Sequence, residues 1–333
     1  MSSIESYAGR VATAAPVATA THVTRTAGTG AVAATAPARS PFGVLSERAT
    51  SSSAGISAAQ LARGRGRVEV WDMSSGIEQP VEAATLLQGS DPALSLAYEQ
   101  ALRVDEFMRG RLGRNGFDAA GAPLRIVVHA PNEDGTPNMN NAYWDNSTKR
   151  IYLGDGDGDL FAPLGNALDV LVHEATHAMV DAEVNLRYEG QQGGVNESWA
   201  DVMGSLADPD DWTIGEDVFT PATPGDSIRD LEHPRFGHVT QLPKGAVIEP
   251  HDYSGIPSLA AVRVAKELGR EEMGRIWYDA LVDHLDSRAG YAGAARATLD
   301  AAAELHGTRS DAVTAVLSAW KSVGVDPRWK PTA

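Results

Sequence analysis

The stretch LVHEATHAMV, from Leu171 to Val180, sets two histidines four residues apart, with a glutamate directly after the first. On an α-helix His173 and His177 lie one turn apart on the same face, so their imidazoles converge on one tetrahedral ion. Glu174 projects beside them. An HExxH match is only moderately specific, because two surface histidines on an ordinary helix give the same pattern.

A second stretch, GGVNESWAD at residues 193–201, strengthens the metal interpretation. Glu197 follows His177 with 19 residues between them, and Asp201 lies one helical turn further on. A second helix that brings Glu197 to the ion would complete a His2Glu site with one position open for water, which is typical of a catalytic zinc. Asp201 would then accept the remaining ring N–H of a zinc-bound histidine and fix its tautomer.

The composition is that of a soluble globular protein long enough for two lobes: 333 residues, 43% hydrophobic and 22% charged. The net charge of -16 disfavours nucleic acid as a partner, because the average surface repels phosphate. Cysteine is absent, so a metal would need histidine and carboxylate ligands. No run of 18 apolar residues occurs, and we therefore expect no membrane span.

The chain divides by composition into four parts. Residues 1–66 are dominated by Ala, Thr, Ser and Gly, and we predict a disordered tail or a pro-segment there. Residues 67–167 contain short β-rich runs such as PLRIVVHAP and KRIYLGDG, which indicate a strand-bearing lobe. Residues 168–328 carry apolar stripes at helical spacing, which predict a mainly helical lobe. Residues 329–333 form a short tail.

Several segments, in the same order, resemble the thermolysin-like zinc metallopeptidases. The two metal-binding stretches match the family's zinc helices, and NNAYWDNSTKRIYLGDGDG resembles its substrate-binding edge strand and following loop. DWTIGEDVFTPATPGDSIRDLEHP resembles the segment with calcium ligands and a substrate-binding arginine, and PHDYSGI resembles the catalytic histidine motif. The resemblance covers residues 67–328 and implies an α+β, two-lobed fold, with the HExxH helix at the floor of the cleft between the lobes.

The resemblance also implies an activity, zinc-dependent cleavage of peptide bonds. Glu174 would be the general base, and Tyr188 and His251 would stabilise the oxyanion. Asp201 would orient a ligand histidine. In this scheme the zinc ligands are His173, His177 and Glu197.

Substrate binding is implied by the same resemblance. Asn141 and the backbone of Ala142 would hydrogen-bond an extended peptide added to the edge strand. Arg229 would hold a substrate carbonyl on the leaving-group side. Six apolar residues match the family's primary pocket and imply cleavage before a bulky apolar residue, although taken one by one they equally suit an ordinary core: Phe161, Leu164, Val170, Ile214, Val218 and Ile228.

Calcium is a second implied cofactor, since carboxylate oxygens suit that ion. The matching positions are Asp169, Asp208, Asp211 and Glu216. One position departs from the family pattern. Ala246 stands where the family has an aspartate that supports the catalytic histidine, so either Glu249 replaces it from another direction or His251 lacks that support.

Two further functions remain as alternatives to a zinc endopeptidase. A catalytically impaired scaffold would act as a binding protein or effector, but the catalytic residue types are retained in this sequence. An aminopeptidase of the wider gluzincin group is disfavoured by the 19-residue spacing. We expect a bacterial-type monomer that acts on peptides or proteins, either exported by a non-Sec route or cytoplasmic. Its tail resembles the short pro-segment of the protealysin-like branch in length, and cleavage near residue 66 is a hypothesis.

Overall fold

The computed structural model of this protein describes residues 56–246 and 248–330. The N-terminal lobe is built on a five-stranded mixed sheet in the order β2-β1-β3-β5-β4. Its elements are α1 (Ala58–Gly64), β1 (Val68–Asp72), β2 (Gln79–Pro80), α2 (Ala83–Gln88), α3 (Pro92–Glu106), β3 (Leu124–Val128), β4 (Ala142–Asp145) and β5 (Arg150–Leu153).

The sheet has two different faces because side chains alternate along each strand. In β3, Leu124, Ile126 and Val128 belong to the main core, which also includes the apolar face of α3. Val127 points the other way and joins a smaller cluster with Tyr152 of β5. We call these the inner and the outer face of the sheet.

Strand β4 lies at the edge of the sheet. It pairs with β5 in antiparallel register, from Ala142 opposite Leu153 to Asp145 opposite Arg150. Within the described part of the chain its other side has no strand partner. Ala142 and Trp144 face the inner core, while Tyr143 faces the outer cluster. An extended segment can therefore add to this edge.

The C-terminal lobe is mainly helical, as predicted. Its elements are α4 (Leu168–Glu183), α5 (Gly190–Ala207), β6 (Thr213–Ile214), β7 (Arg229–Asp230), α6 (Pro250–Leu268), α7 (Arg270–Asp279), α8 (Tyr291–His306) and α9 (Asp311–Ser322). Three fully buried tryptophans tie these helices together: the rings of Trp277 and Trp320 are stacked at 6.4 Å, and the Trp199 indole N–H donates to the Trp277 carbonyl at 3.0 Å.

Helices α5 and α6 approach each other unusually closely. A Cβ placed on Gly194 would collide with Tyr253, and one on Gly193 would lie 3.0 Å from Pro250. The two glycines of the GGVNESWAD motif therefore allow the start of α6 to pack against α5. This packing brings His251, in the first turn of α6, to the helix that carries Glu197.

Ordered structure begins before the predicted boundary at residue 66. Helix α1 lies there, Ser57 and Gln60 form a capping box, and Ile56 is buried, so residues 56–66 are not a disordered tail, whereas a pro-segment stays a prediction. In the short segment predicted as a C-terminal tail, the Trp329 indole donates to Asp300 at 2.7 Å. Most of the first predicted segment, including any pro-segment, lies outside the described residues. None of the described helices combines the length and apolar character needed to cross a membrane.

Candidate metal centre

Helices α4 and α5 bring the three predicted ligands together. The Nε2 atoms of His173 and His177 lie 3.0 Å apart. Glu197 reaches them from α5, with Oε2 3.2 Å from His173 Nε2 and Oε1 3.5 Å from His177 Nε2. All three side chains are at most 2% exposed. The helical spacing seen in the sequence thus produces one buried, converging set of nitrogen and oxygen atoms.

The hydrogen bonds behind the histidines show that this set fits a metal ion. The Nδ1 atom of His173 lies 2.9 Å from Asp201 Oδ1, and that of His177 lies 2.8 Å from Asn196 Oδ1. These oxygens accept hydrogen bonds, so each Nδ1 carries a proton, and each ring, when neutral, presents its Nε2 lone pair to the centre. Facing lone pairs beside a carboxylate repel one another unless a proton or a metal ion lies between them, and zinc prefers nitrogen and oxygen ligands of this kind.

The electrostatics of the two histidines agree with a cation at this position. Burial lowers the pKa of His177 to about 4, so its ring is neutral. Burial also opposes a charge on His173, but hydrogen bonds and charges from Asp201 and Glu197 outweigh it and raise the pKa of His173 to about 10. Without a metal ion, a proton on His173 therefore lies between these atoms at neutral pH, and zinc would take the place of that proton.

Glu174 is a fully buried carboxyl group beside the two histidines. Its Oε2 accepts the backbone N–H of Trp144 at 2.9 Å, whereas Oε1 is buried and has no hydrogen-bond partner among the residues described. Burial is the main reason that the pKa of Glu174 rises to about 8, and the charge of His173 partly opposes this shift. An unpartnered carboxyl oxygen with a raised pKa is suited to exchanging a proton with a bound molecule.

Arg229 and Asp201 form a buried ion pair behind His173. The Arg229 guanidinium donates through Nε at 3.0 Å and through Nη2 at 2.6 Å to Asp201 Oδ1. Burial alone would raise the pKa of Asp201, but the charge of Arg229 and the hydrogen bond to His173 hold it below its usual range. Asp201 therefore stays ionised and keeps the His173 ring in one tautomer.

The two predicted oxyanion donors, His251 and Tyr188, both contact Glu197. His251 Nε2 lies 3.0 Å from Glu197 Oε2, and the Tyr188 hydroxyl donates to Oε1. Ala246 is exposed in a turn, and Glu249 is also exposed, at the residue that precedes α6. The contact between His251 and Glu197 depends on the packing of α5 against α6, which the sequence pattern did not predict.

The predicted substrate-binding residues take different positions. Asn141 directly precedes β4, and Ala142 opens that edge strand. Ile228 lines a cavity of about 240 Å³ together with Arg229 and His251. The six predicted pocket residues are all fully buried, most of them in the main core.

The predicted calcium residues do not all contribute to one cluster. Ligand atoms of Asp208, Glu216 and Asp217 lie within 4.8 Å of one another. Asp217 was not predicted, although it directly follows Glu216 in the sequence. Asp211 instead caps the backbone N–H of Thr213 at 2.7 Å. Asp169 is buried and accepts the backbone N–H groups of Gly215 and Val170, at 2.5 and 2.8 Å.

Comparisons with known proteins agree with this geometry. The family model described as thermolysin metallopeptidase, catalytic domain, matches residues 65–181, and the model described as thermolysin metallopeptidase, alpha-helical domain, matches residues 184–325. The chain is 34% identical over 255 residues to the bacillolysin of Brevibacillus brevis, which is 71% of this chain and 46% of that protein. It is 37% identical over 229 residues to the extracellular elastase of Staphylococcus epidermidis, covering 66% and 44%.

The chain thus spans about half the length of these curated relatives. Among solved structures, the precursor of protealysin, a metalloproteinase from Serratia proteamaculans, is similar with a TM-score of 0.69 and 28% identity. That match covers 78% of this chain and 88% of the other. Because the two family models together cover both lobes and the zinc helices lie in the matched segments, the chain belongs to the thermolysin metallopeptidase family.

Proposed function

We propose that this protein is a zinc-dependent endopeptidase that cleaves peptide bonds before bulky apolar residues. The observation that carries the proposal is the pair of facing Nε2 atoms of His173 and His177, next to Glu197 and to the unpartnered Oε1 of Glu174. Three protein ligands leave a tetrahedral ion one position for water or substrate, and the adjacent carboxylate is the base that hydrolysis needs. The family relationship supports the same chemistry.

Glu174 would carry the proton through the reaction. A zinc ion, when bound, supplies Lewis-acid chemistry by lowering the pKa of water and polarising a carbonyl. The Oε1 atom of Glu174 would take the proton from the attacking water and deliver it to the leaving nitrogen, which is general base and acid catalysis worth ~10²–10⁴ in rate. The hydrogen bond from Trp144 would hold the carboxyl group in place through its other oxygen.

Stabilisation of the oxyanion would fall to His251 and Tyr188, which lie beside the ligand carboxylate. Donors fixed close to the carbonyl stabilise the charge that develops on its oxygen. Arg229 would hold a substrate carbonyl on the leaving-group side, and its ion pair with Asp201 fixes the guanidinium for that role. In this arrangement one buried network both orients His173 and positions the substrate.

The free edge of β4 would bind the substrate as an added strand. Asn141 and Ala142 would pair with the peptide backbone, and the apolar residue after the scissile bond would enter the cleft beside Ile228 and Arg229. Binding through main-chain hydrogen bonds tolerates many sequences, so specificity would come from the pocket. We therefore expect an endopeptidase of broad sequence range with a preference for Leu or Phe after the cleaved bond.

Digestion of an unfolded protein substrate, followed by mass spectrometry of the fragments, tests this function. The zinc-loaded enzyme should produce internal cuts whose new N-termini are mainly Leu, Phe or another bulky apolar residue. A chelated sample is the matched control and should leave the substrate intact. Products released only one residue at a time from the N-terminus would instead show an aminopeptidase and contradict the proposal.

Replacing Asn196 by alanine should weaken zinc binding without removing a ligand. The Asn196 side chain accepts the Nδ1–H of His177, so its loss leaves the ring free to turn and to change tautomer. Loss of such a supporting partner typically lowers metal affinity by ~10–100-fold. Competition with a fluorescent chelator measures the affinity. An affinity equal to that of the parent protein would show that Asn196 does not orient His177.

Calcium should raise thermal stability more at pH 8 than at pH 5. Burial, together with the charge of Glu216, raises the pKa of Asp169 to about 7. A raised carboxyl pKa favours the protonated folded state, so this contribution to stability is present below the unfolded pKa near 4 and is lost as pH rises towards 7. A bound cation would offset that loss. Differential scanning calorimetry with calcium or chelator measures it, and an equal effect at both pH values would contradict this account.

An Asp169→Asn variant controls that calcium prediction. It cannot ionise, so its unfolding temperature in chelator should fall less between pH 5 and pH 8 than that of the parent protein. An equal fall in both proteins would show that another group is responsible.

A further inference from the structure

A large cavity lies on the outer face of the N-terminal sheet, next to the edge strand. Its volume is about 1030 Å³, and Met73, Met139 and Tyr143 form part of its apolar wall. Tyr143 belongs to β4 but faces away from the main core, and its ring is stacked on Tyr152 at 4.9 Å. The cavity therefore adjoins β4 on the face opposite to α4 and the metal centre.

Asn141 provides a polar group that lacks a partner at this cavity. The residue is only 3% exposed and lines the cavity, yet its Oδ1 atom is buried without a hydrogen-bond partner among the described residues. Buried acceptors are almost always paired, so an unpaired one beside a cavity indicates a place where a bound molecule can supply the partner. An oxygen can only accept a hydrogen bond, so the missing partner is a group that carries N–H or O–H.

The charges around the cavity favour a cation. His129 lies between two carboxylates, with Nδ1 2.9 Å from Asp155 and Nε2 3.1 Å from Asp91. The hydrogen bond to Asp155 is the main reason that the pKa of His129 rises to about 9, so the three groups carry one positive and two negative charges. Glu133 adds an exposed carboxylate to the lining. The net local charge is therefore negative.

We propose that this cavity is a specificity subsite for a basic side chain of the peptide substrate, arginine or lysine. The inference rests on the proposed function, in which a peptide adds to the free edge of β4. Successive side chains of an added strand point to opposite faces of the sheet. When the apolar side chain enters the inner cleft, its neighbour lies on the outer face, where the cavity opens.

The direction of the bound peptide determines which residue next to the apolar one places its side chain in the cavity. The backbone N–H of Trp144 donates a hydrogen bond to Glu174, so the reaction would take place near the C-terminal end of β4. The cavity instead adjoins Asn141, directly before the N-terminal end of that strand. A peptide antiparallel to β4 runs from the level of Trp144 towards Asn141. The residue that follows the apolar residue is therefore the one that reaches the cavity.

A long basic side chain has an apolar stem and a charged end, and both suit the lining of this cavity. Its methylene stem would pack on Met73, Met139 and Tyr143, whose side chains form an apolar surface. Its charged end would lie close to Glu133, while the main-chain N–H of the same substrate residue would donate to the Asn141 oxygen. A glutamate at the same substrate position would face like charge.

Three quenched peptides test the subsite. They share one apolar residue after the scissile bond and differ only in the next residue, which is Arg, Met or Glu. We expect kcat/KM for the Arg peptide to exceed that for the Glu peptide by about tenfold at low salt, with a smaller ratio at high salt because exposed charges are screened. The Met peptide should fall between them.

Two charge-reversal variants separate the cavity from the overall charge of the protein. Glu133→Lys lies at the cavity, whereas Glu106→Lys is exposed at the end of α3 and changes the net charge equally. The Arg-to-Glu ratio should drop to about twofold in the first variant and stay near the parent value in the second. An equal drop in both would show long-range attraction and overturn the subsite.

Different outcomes would overturn the subsite and the peptidase function. Equal cleavage of all three peptides, or a basic preference confined to the residue before the scissile bond, would overturn the subsite and leave the peptidase intact. Failure of the zinc-loaded enzyme to cleave any of the three, including the uncharged Met peptide, would overturn the proposed function and the subsite with it.

Discussion

Replacement of Glu174 by glutamine is expected to lower kcat/KM by at least about a thousandfold, because the variant has no group that can accept the proton of the attacking water. Glutamine has nearly the same shape and can still accept the Trp144 N–H through its amide oxygen. The ligands are untouched, so bound zinc should stay at one equivalent. Steady-state kinetics on a quenched peptide, with zinc measured in the same sample, give both values.

The stability of this variant provides an independent check. Glu174 is fully buried with one oxygen unpartnered, and burial raises its pKa to about 8. An uncharged amide avoids the cost of ionising a buried group, so the Glu174→Gln protein should unfold at the same or a higher temperature. A matched control, Glu106→Gln at the exposed end of α3, should keep activity within about twofold. Activity of the Glu174 variant within tenfold of the parent would contradict its role.

Loss of a ligand is the second large effect. His177→Ala should retain less than about a tenth of an equivalent of zinc after dialysis, because two ligands bind far more weakly than three in a site of this type. The variant should also lose the stabilisation that zinc binding gives the folded state, so a zinc-selective chelator, with calcium kept in excess, should no longer lower its unfolding temperature. Elemental analysis and a thermal shift assay measure the two effects.

A surface histidine serves as the control for this variant. His306 is exposed at the C-terminal end of α8, away from both cavities, and His306→Ala should bind one equivalent of zinc like the parent protein. Full zinc retention by His177→Ala, with unchanged activity, would show that the metal lies elsewhere.

The relative positions of the candidate residues could be predicted where the relevant geometry is local to a helix. The spacing of His173 and His177, and that of Glu197 and Asp201, determines which side chains share a face, and the structure brings all four together. Asn196 was missed, although it directly precedes Glu197 in the same motif. The Asn196 amide oxygen lies 2.8 Å from His177 Nδ1, while Glu197, the next residue of α5, lies beside the Nε2 atoms of the two histidines.

Features that depend on packing between distant segments could not be predicted from the pattern. The contact of His251 with Glu197 requires the close approach of α5 and α6 at Gly194. The six apolar pocket residues illustrate the same limit, since a side chain at a cavity wall and one in the core have the same sequence signature. The start of α1, by contrast, has a local signal: Ser57 and Gln60 match a capping box.

A binding scaffold without catalytic activity would differ from a peptidase at its buried polar groups. A protein that keeps the fold but not the chemistry has no reason to leave a buried carboxyl oxygen unpartnered beside a cation site, since this costs stability. Glu174 has such an oxygen at the metal centre, and Asn141 has another at the edge strand. In the proposed function, a water would pair with the first of these oxygens and the substrate with the second.

Titration of the metal-free protein with zinc tests the central claim most directly. The apoprotein, prepared with a chelator, should be inactive on the Met peptide, and activity should rise linearly and reach its plateau at one equivalent of zinc. Binding of one zinc without any hydrolysis, or hydrolysis that does not depend on zinc, would contradict the claim that this site is a catalytic metal centre.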